Sequence, residues 1–193
     1  MNVDRSQEED ARTRRPRVAW LLAVMPFAAT LFIAALACTR SEKEEAVAET
    51  VIRQRVEDWA KAIRAKDIDG VVSVYAPNIV SFDIVPPLRY AGTDNKRRAW
   101  QEAFATYTSP IAYEVRDLNV TTDGGLAFVH SLNHISGTLA EGHVSDLWLR
   151  WAACFRRIDG VWLIVHDHAS VPADLAHGKA ALNLKPGGRT EAD

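Results

Sequence analysis

Residues 160–172, reading GVWLIVHDHASVP, constrain the chain more than any other stretch. They follow the turn dipeptide Asp159-Gly160, run through β-branched and aromatic residues and end at Ser170-Val171-Pro172. That is a strand between two turn signals. Strand side chains alternate, so Trp162, Ile164, His166, His168 and Ser170 are expected on one face, and Val161, Leu163, Val165, Asp167 and Ala169 on the other. Both faces begin apolar, which requires cover on both sides. The far end carries His166, Asp167 and His168 in a row, as the mouth of a pocket would.

The residues before this strand set its context. Over residues 46–66 the apolar positions Ile52, Val56, Trp59 and Ile63 fall three or four apart among charged neighbours, which predicts an amphipathic helix. Asp67 can cap a short helix over 68–75, broken by Pro77-Asn78. A strand over 79–84 ends at Pro86-Pro87. Gly92-Thr93-Asp94 then opens a third helix, 96–107, with Trp100, Phe104 and Tyr107 on one face. From there the period changes to two: strands over 112–120, 126–137 and 144–158 precede the terminal one, with hairpin turns between them. Helix, helix, strand, helix and a four-strand meander make an α+β domain.

The N-terminus is of another kind. Residues 1–17 include Arg12, Arg14, Arg15 and Arg17, and residues 18–38 contain no charge and end Ala35-Leu36-Ala37-Cys38. A basic flank, an apolar run and small residues before a cleavage point describe a secretory signal. The ending also resembles a bacterial lipobox, with Cys38 the lipidated residue, although Ala35 stands where Leu is usual. An uncleaved anchor is the alternative, since about 20 apolar residues span a bilayer. Either puts the domain outside the cytoplasm, attached to a membrane by lipid or anchor, or else periplasmic. The expected layout is 1–38 signal or anchor, 39–45 tether, 46–176 folded domain and 177–193 tail. A formal charge of -2 gives no basic excess, which argues against nucleic acid as partner. The second cysteine, Cys154, reads as a small buried hydrophobe.

Helices ahead of a bent meander, with VSFDIVPPLRYAG at 80–92, SPIAYEVRDLNV at 109–120 and WLIVHDHASVPAD at 162–174, resemble the SnoaL-like, ketosteroid isomerase-like branch of the NTF2-like superfamily. The resemblance implies a cone in which three N-terminal helices pack into a strongly curved, mostly antiparallel sheet around a pocket. It implies cofactor-free isomerase or dehydratase chemistry on a small, largely apolar molecule, or a homodimeric module that only binds or assembles. The last strand is also similar to the hub domain of calcium/calmodulin-dependent kinase II. That likeness puts His130, Ala153 and Ala169 at the hub's pocket arginines, Asp167 and Trp151 on the concave face, and His166 and His168 on the convex, dimer-forming side.

A carboxylate in an apolar cavity resists ionisation, which suits proton transfer near neutral pH. The catalytic candidates are therefore Asp83, His130 and Asp167, with Tyr75, Tyr90, Trp100, His134 and Trp151 as ligand-binding candidates. Asp83 reads equally well as a turn carboxylate. Arg150 and Asp146, four apart on one strand, are expected to pair. His166 and His168, completed by His130 or His134, are the residues of an alternative metal site.

Overall fold

The structure is a computed structural model that describes residues 21–187 in backbone and 42–187 in side chains. It divides into two compact units, Met1–Glu42 and Lys43–Asp193. The side chains of the signal or anchor segment, Cys38 included, lie outside the described residues. Among the described residues no helix is long and apolar enough to cross a membrane.

Helix α1 (Leu21–Arg64) turns the expected stripe inward: Ile52, Val56, Trp59 and Ile63 are all buried. Each such side chain contributes roughly 1.5–3 kcal/mol by leaving water. The helix ends with Lys61 and Arg64 in its last turn, where cations oppose the helix dipole. Arg64 Nη1 donates to the carbonyl of Tyr113, 2.9 Å away, and ties that end to the sheet. Helix α2 (Ile68–Val72) is capped by Asp67, whose carboxylate accepts from the N–H of Gly70 at 3.1 Å. It stops sooner than expected because Ser73 closes it, and the carbonyl of Val74 already accepts the N–H of Ile164. Tyr75, expected at a helix end, instead begins strand β1 (Tyr75–Phe82).

Strand β2 (Tyr90–Ala91) and helix α3 (Thr93–Thr106) follow, then β3 (Ala112–Asp123), β4 (Leu126–Thr138), β5 (Val144–Ile158) and β6 (Val161–Ser170). The sheet runs β2-β1-β6-β5-β4-β3, with β1 parallel to β6 and the other pairs antiparallel. Gly137 allows the close approach of α3's end to β4: a Cβ there would stand 2.8 Å from the Tyr107 ring. The tail adds a two-stranded ribbon, β7 (Ala173–Asp174) with β8 (Lys179–Ala180).

Two bulges set which side chains face the helices. On β6, Ile164 pairs with Phe155 while His166 pairs with Cys154, so Val165 is the extra residue. The alternation expected for this strand therefore inverts midway. Trp162, Ile164 and Asp167 are buried on the inner face, whereas His168 is exposed on the outer. On β3 a second register shift lies between Arg116 and Asn119, and Asp117 takes φ 55° there.

Candidate functional site

Helix α3 presents Lys96, Trp100 and Phe104, four residues apart, towards the sheet. Lys96 is 3% exposed. An ammonium so placed must find partners. Its Nζ donates to Ser81 Oγ at 2.9 Å and to Asp83 Oδ2 at 3.4 Å, and Asp167 Oδ2 stands 3.7 Å away. Register explains the gathering, since Ser81 of β1 pairs with Asp167 of β6. Aromatic rings enclose the cation: Nζ lies 5.5 Å from the Tyr75 ring centroid and 5.9 Å from those of Tyr90 and Trp100. Two carboxyl groups thus face one amino group. Asp167 is itself 3% exposed, and its Oδ1 is buried without a hydrogen-bond partner.

Beside the charges stands an aromatic wall. Trp59 of α1 stacks on Trp151 at 5.1 Å and meets Trp100 and Tyr113 edge-on at 5.9 and 5.6 Å. The indole N–H groups of Trp59 and Trp151 are buried and unpartnered. Tyr113 Oη accepts from Asn133 Nδ2 at 2.9 Å, and Ser131 donates to Asn133 Oδ1 at 2.6 Å. Trp100 Nε1 donates to Tyr75 Oη at 3.3 Å.

Burial, then the negative charge of Asp167, pushes the Tyr75 hydroxyl well above the ordinary tyrosine value of 10.0. Burial, then Tyr75, pushes Tyr113 upward as well. Both are therefore protonated at neutral pH. Because their folded values are raised, the stability they contribute is complete below about pH 10 and is lost as pH rises further, when the unfolded chain ionises first. An alkaline titration followed by tyrosinate absorbance should show Tyr75 and Tyr113 ionising only with unfolding. Ionisation of all four tyrosines before the fold is lost would contradict this buried arrangement.

The sequence candidates divide between the two faces. Asp167, Tyr75, Trp100 and Trp151 belong to this interior, with Tyr90 at its edge, where its hydroxyl donates to the carbonyl of Pro86 at 2.7 Å. Asp83 is the turn carboxylate that was expected as one of its two readings, since Oδ1 accepts from the N–H of Ile84, and its Oδ2 pairs with Lys96. His130 and His134 do not line the interior. Alternation on β4 turns Val129, Ser131 and Asn133 inward and leaves His130 exposed on the other side. His134 also lies there, stacked on Trp148 at 4.8 Å and 2.5 Å from Asp146 Oδ1. Asp146 also binds Lys185 at 2.9 Å, so the expected pair with Arg150 does not form. His166 Nδ1 is taken by the carbonyl of Val80, and among the described residues no three His, Cys, Asp or Glu side chains gather as a metal site.

Lys96 and Ser81 are the residues that sequence reasoning missed. A signal existed: Lys96 sits one helical turn before Trp100 on the same stripe, and a lysine on an apolar stripe needs a buried partner.

A SnoaL-like domain model matches residues 52–174. The structure is similar to an NTF2-like protein of unknown function from Pseudomonas putida KT2440, with 34% identity and a TM-score of 0.67 over 73% of this chain and 98% of that one. It is also similar to a ketosteroid isomerase-like protein from Erwinia carotovora atroseptica SCRI1043, at 24% identity and TM-score 0.55, over 63% of this chain and 93% of the other. None of the curated proteins gave a significant match.

Proposed function

The chain belongs to the SnoaL-like domain family of the NTF2-like superfamily, and on that premise we propose that its interior binds a small, largely apolar molecule and that Asp167 exchanges a proton with it. The observation that carries this reading is the buried, unpartnered Oδ1 of Asp167. An acceptor held out of water lacks its hydrogen bond until a ligand's O–H, N–H or acidic C–H supplies the proton. Its other oxygen leans towards Lys96, which keeps the carboxylate anchored. Tyr75, held protonated, is the donor available to an oxygen on the ligand. The chemistry is acid–base isomerisation or dehydration without a cofactor. The uncharged run of residues 18–38 supports an exported, membrane-attached setting.

A second reading, a dimeric binding or assembly module without turnover, draws on Lys96, whose contacts offset one of the two acids. One experiment separates the two. The full chain, purified in non-ionic detergent from its own host, is analysed by native mass spectrometry and then denatured to release bound molecules. A stoichiometric apolar molecule, lost from Asp167→Asn while the fold persists, is the expected result. A protein that is empty whether wild-type or variant, and dimeric in both, would move the assignment to assembly.

A further inference from the structure

We propose that the interior takes an amine: a small molecule whose apolar body ends in a primary ammonium that donates to Asp167 Oδ1. This rests on the interior being a binding site and names the class of ligand that the site selects.

The donors available inside the fold are already committed. An ammonium has three N–H donors and no acceptor. Those of Lys96 face Ser81 Oγ at 2.9 Å, Asp83 Oδ2 at 3.4 Å and Asp167 Oδ2 at 3.7 Å, which leaves none for Asp167 Oδ1. Asp83 Oδ1 accepts from the N–H of Ile84 at 2.8 Å. Of the four carboxyl oxygens in the cluster, Asp167 Oδ1 is thus the one without a donor among the described residues. Its residue is 3% exposed, so bulk water does not supply what is missing.

The surroundings favour a charged donor over a neutral one. Three ring faces already gather within 5.9 Å of Lys96 Nζ, an arrangement that attracts cations and gives a neutral hydroxyl no such gain. Two carboxyl groups share that amino group, so a second ammonium would match them one to one. A charged N–H also bonds a carboxyl oxygen about twice as strongly as a neutral donor does. Strand register supplies the apolar part of the site. Asp167 pairs with Ala153 of β5, and Ala153 with Val129 of β4, so small apolar side chains lie beside the carboxyl on the inner face. The next row brings Trp151, stacked on Trp59. The hydroxyls of Tyr75 and Tyr113 both feel the charge of Asp167, which sets two more rings nearby. The Asp83 side chain is 26% exposed against 5% for Asp167, so the cluster meets solvent on the Asp83 side.

Titration calorimetry of the full chain in non-ionic detergent at neutral pH tests this with three probes that share a benzyl group. Benzylamine, like other simple alkyl amines, is charged at that pH. Benzyl alcohol keeps a donor without the charge, and benzyltrimethylammonium keeps the charge without an N–H. Benzylamine should bind saturably, and each of the others about tenfold more weakly or not at all. Asp167→Asn should weaken benzylamine about tenfold while circular dichroism shows the fold retained. The probe comparison needs only the wild-type chain, so it decides even where that variant does not fold. Benzyl alcohol binding as tightly as benzylamine would overturn the requirement for charge. Equal binding of benzyltrimethylammonium would overturn the bond to Oδ1, and wild-type affinity in folded Asp167→Asn would overturn the assignment to this cluster. Absence of benzylamine binding would overturn the amine outright. Native mass spectrometry then separates the causes: a neutral molecule released from the wild-type protein leaves the interior a binding site for another class, whereas an empty protein removes both readings.

Discussion

Replacing Lys96 by methionine is expected to cost the domain about 3–5 kcal/mol, the range found when one partner of a buried ion pair is removed. The side-chain volume hardly changes, so packing against Tyr75, Tyr90 and Trp100 survives. What changes is charge: Asp167, 3% exposed, and Asp83 both lose the cation they share. A loss of that size is a large part of the stability of an ordinary domain. The companion variant Lys96→Met/Asp167→Asn removes the stranded carboxylate together with the cation, and it should recover most of the loss. Urea unfolding of the two variants and of Asp167→Asn alone closes the cycle. A double variant as unstable as Lys96→Met alone would mean that Lys96 matters for its packing and not for its charge.

The same cluster shows where the sequence was readable. The four-three-four spacing of Ile52, Val56, Trp59 and Ile63 identifies the inward face of α1, because helix geometry converts spacing directly into direction. The meander is legible for the same reason, through its period of two and its turn dipeptides. The bulge at Val165 is not. Alternation presumes an unbroken pleat, and one inserted residue moves Asp167 to the side of Trp162 and Ile164. Similarity to the hub domain led to the buried position of Asp167 where the simple alternation of the strand did not. That similarity put His130 on the concave side, although the local pattern of β4 sends it outward.

Lys96 was hidden by composition. In a helix reading DNKRRAWQ, a lysine beside two arginines looks like solvated surface, and only its spacing from Trp100 marks it. Arg97 does behave as surface, pairing with the exposed Asp69 at 2.7 Å. The site thus depends on one cation whose neighbours in sequence conceal it. Its neighbours in space are Ser81 of β1, Asp83 just past the end of β1, and Asp167 of β6, and the two strands pair in parallel across a long connection.

Trp59→Ala should be comparably costly, about 3–5 kcal/mol, as for other large-to-small changes of a buried aromatic residue. Trp59 is 3% exposed and contacts three aromatic rings drawn from α3, β3 and β5, so its loss leaves the helix stripe with no filler against the wall. Whether the space closes depends on how rigidly Trp100, Tyr113 and Trp151 are held. Each is fixed by something else. Tyr113 is bonded to Asn133, Trp100 donates to Tyr75, and Trp151 is held in β5 between Ser131 of β4 and Ala169 of β6. The wall should therefore stand, and the cavity should accept indole. Indole would then raise the urea midpoint of Trp59→Ala in a concentration-dependent way while leaving the wild-type protein unchanged, as binding to the folded state requires. A variant that loses the expected stability but does not respond to indole would show that the rings collapse inward.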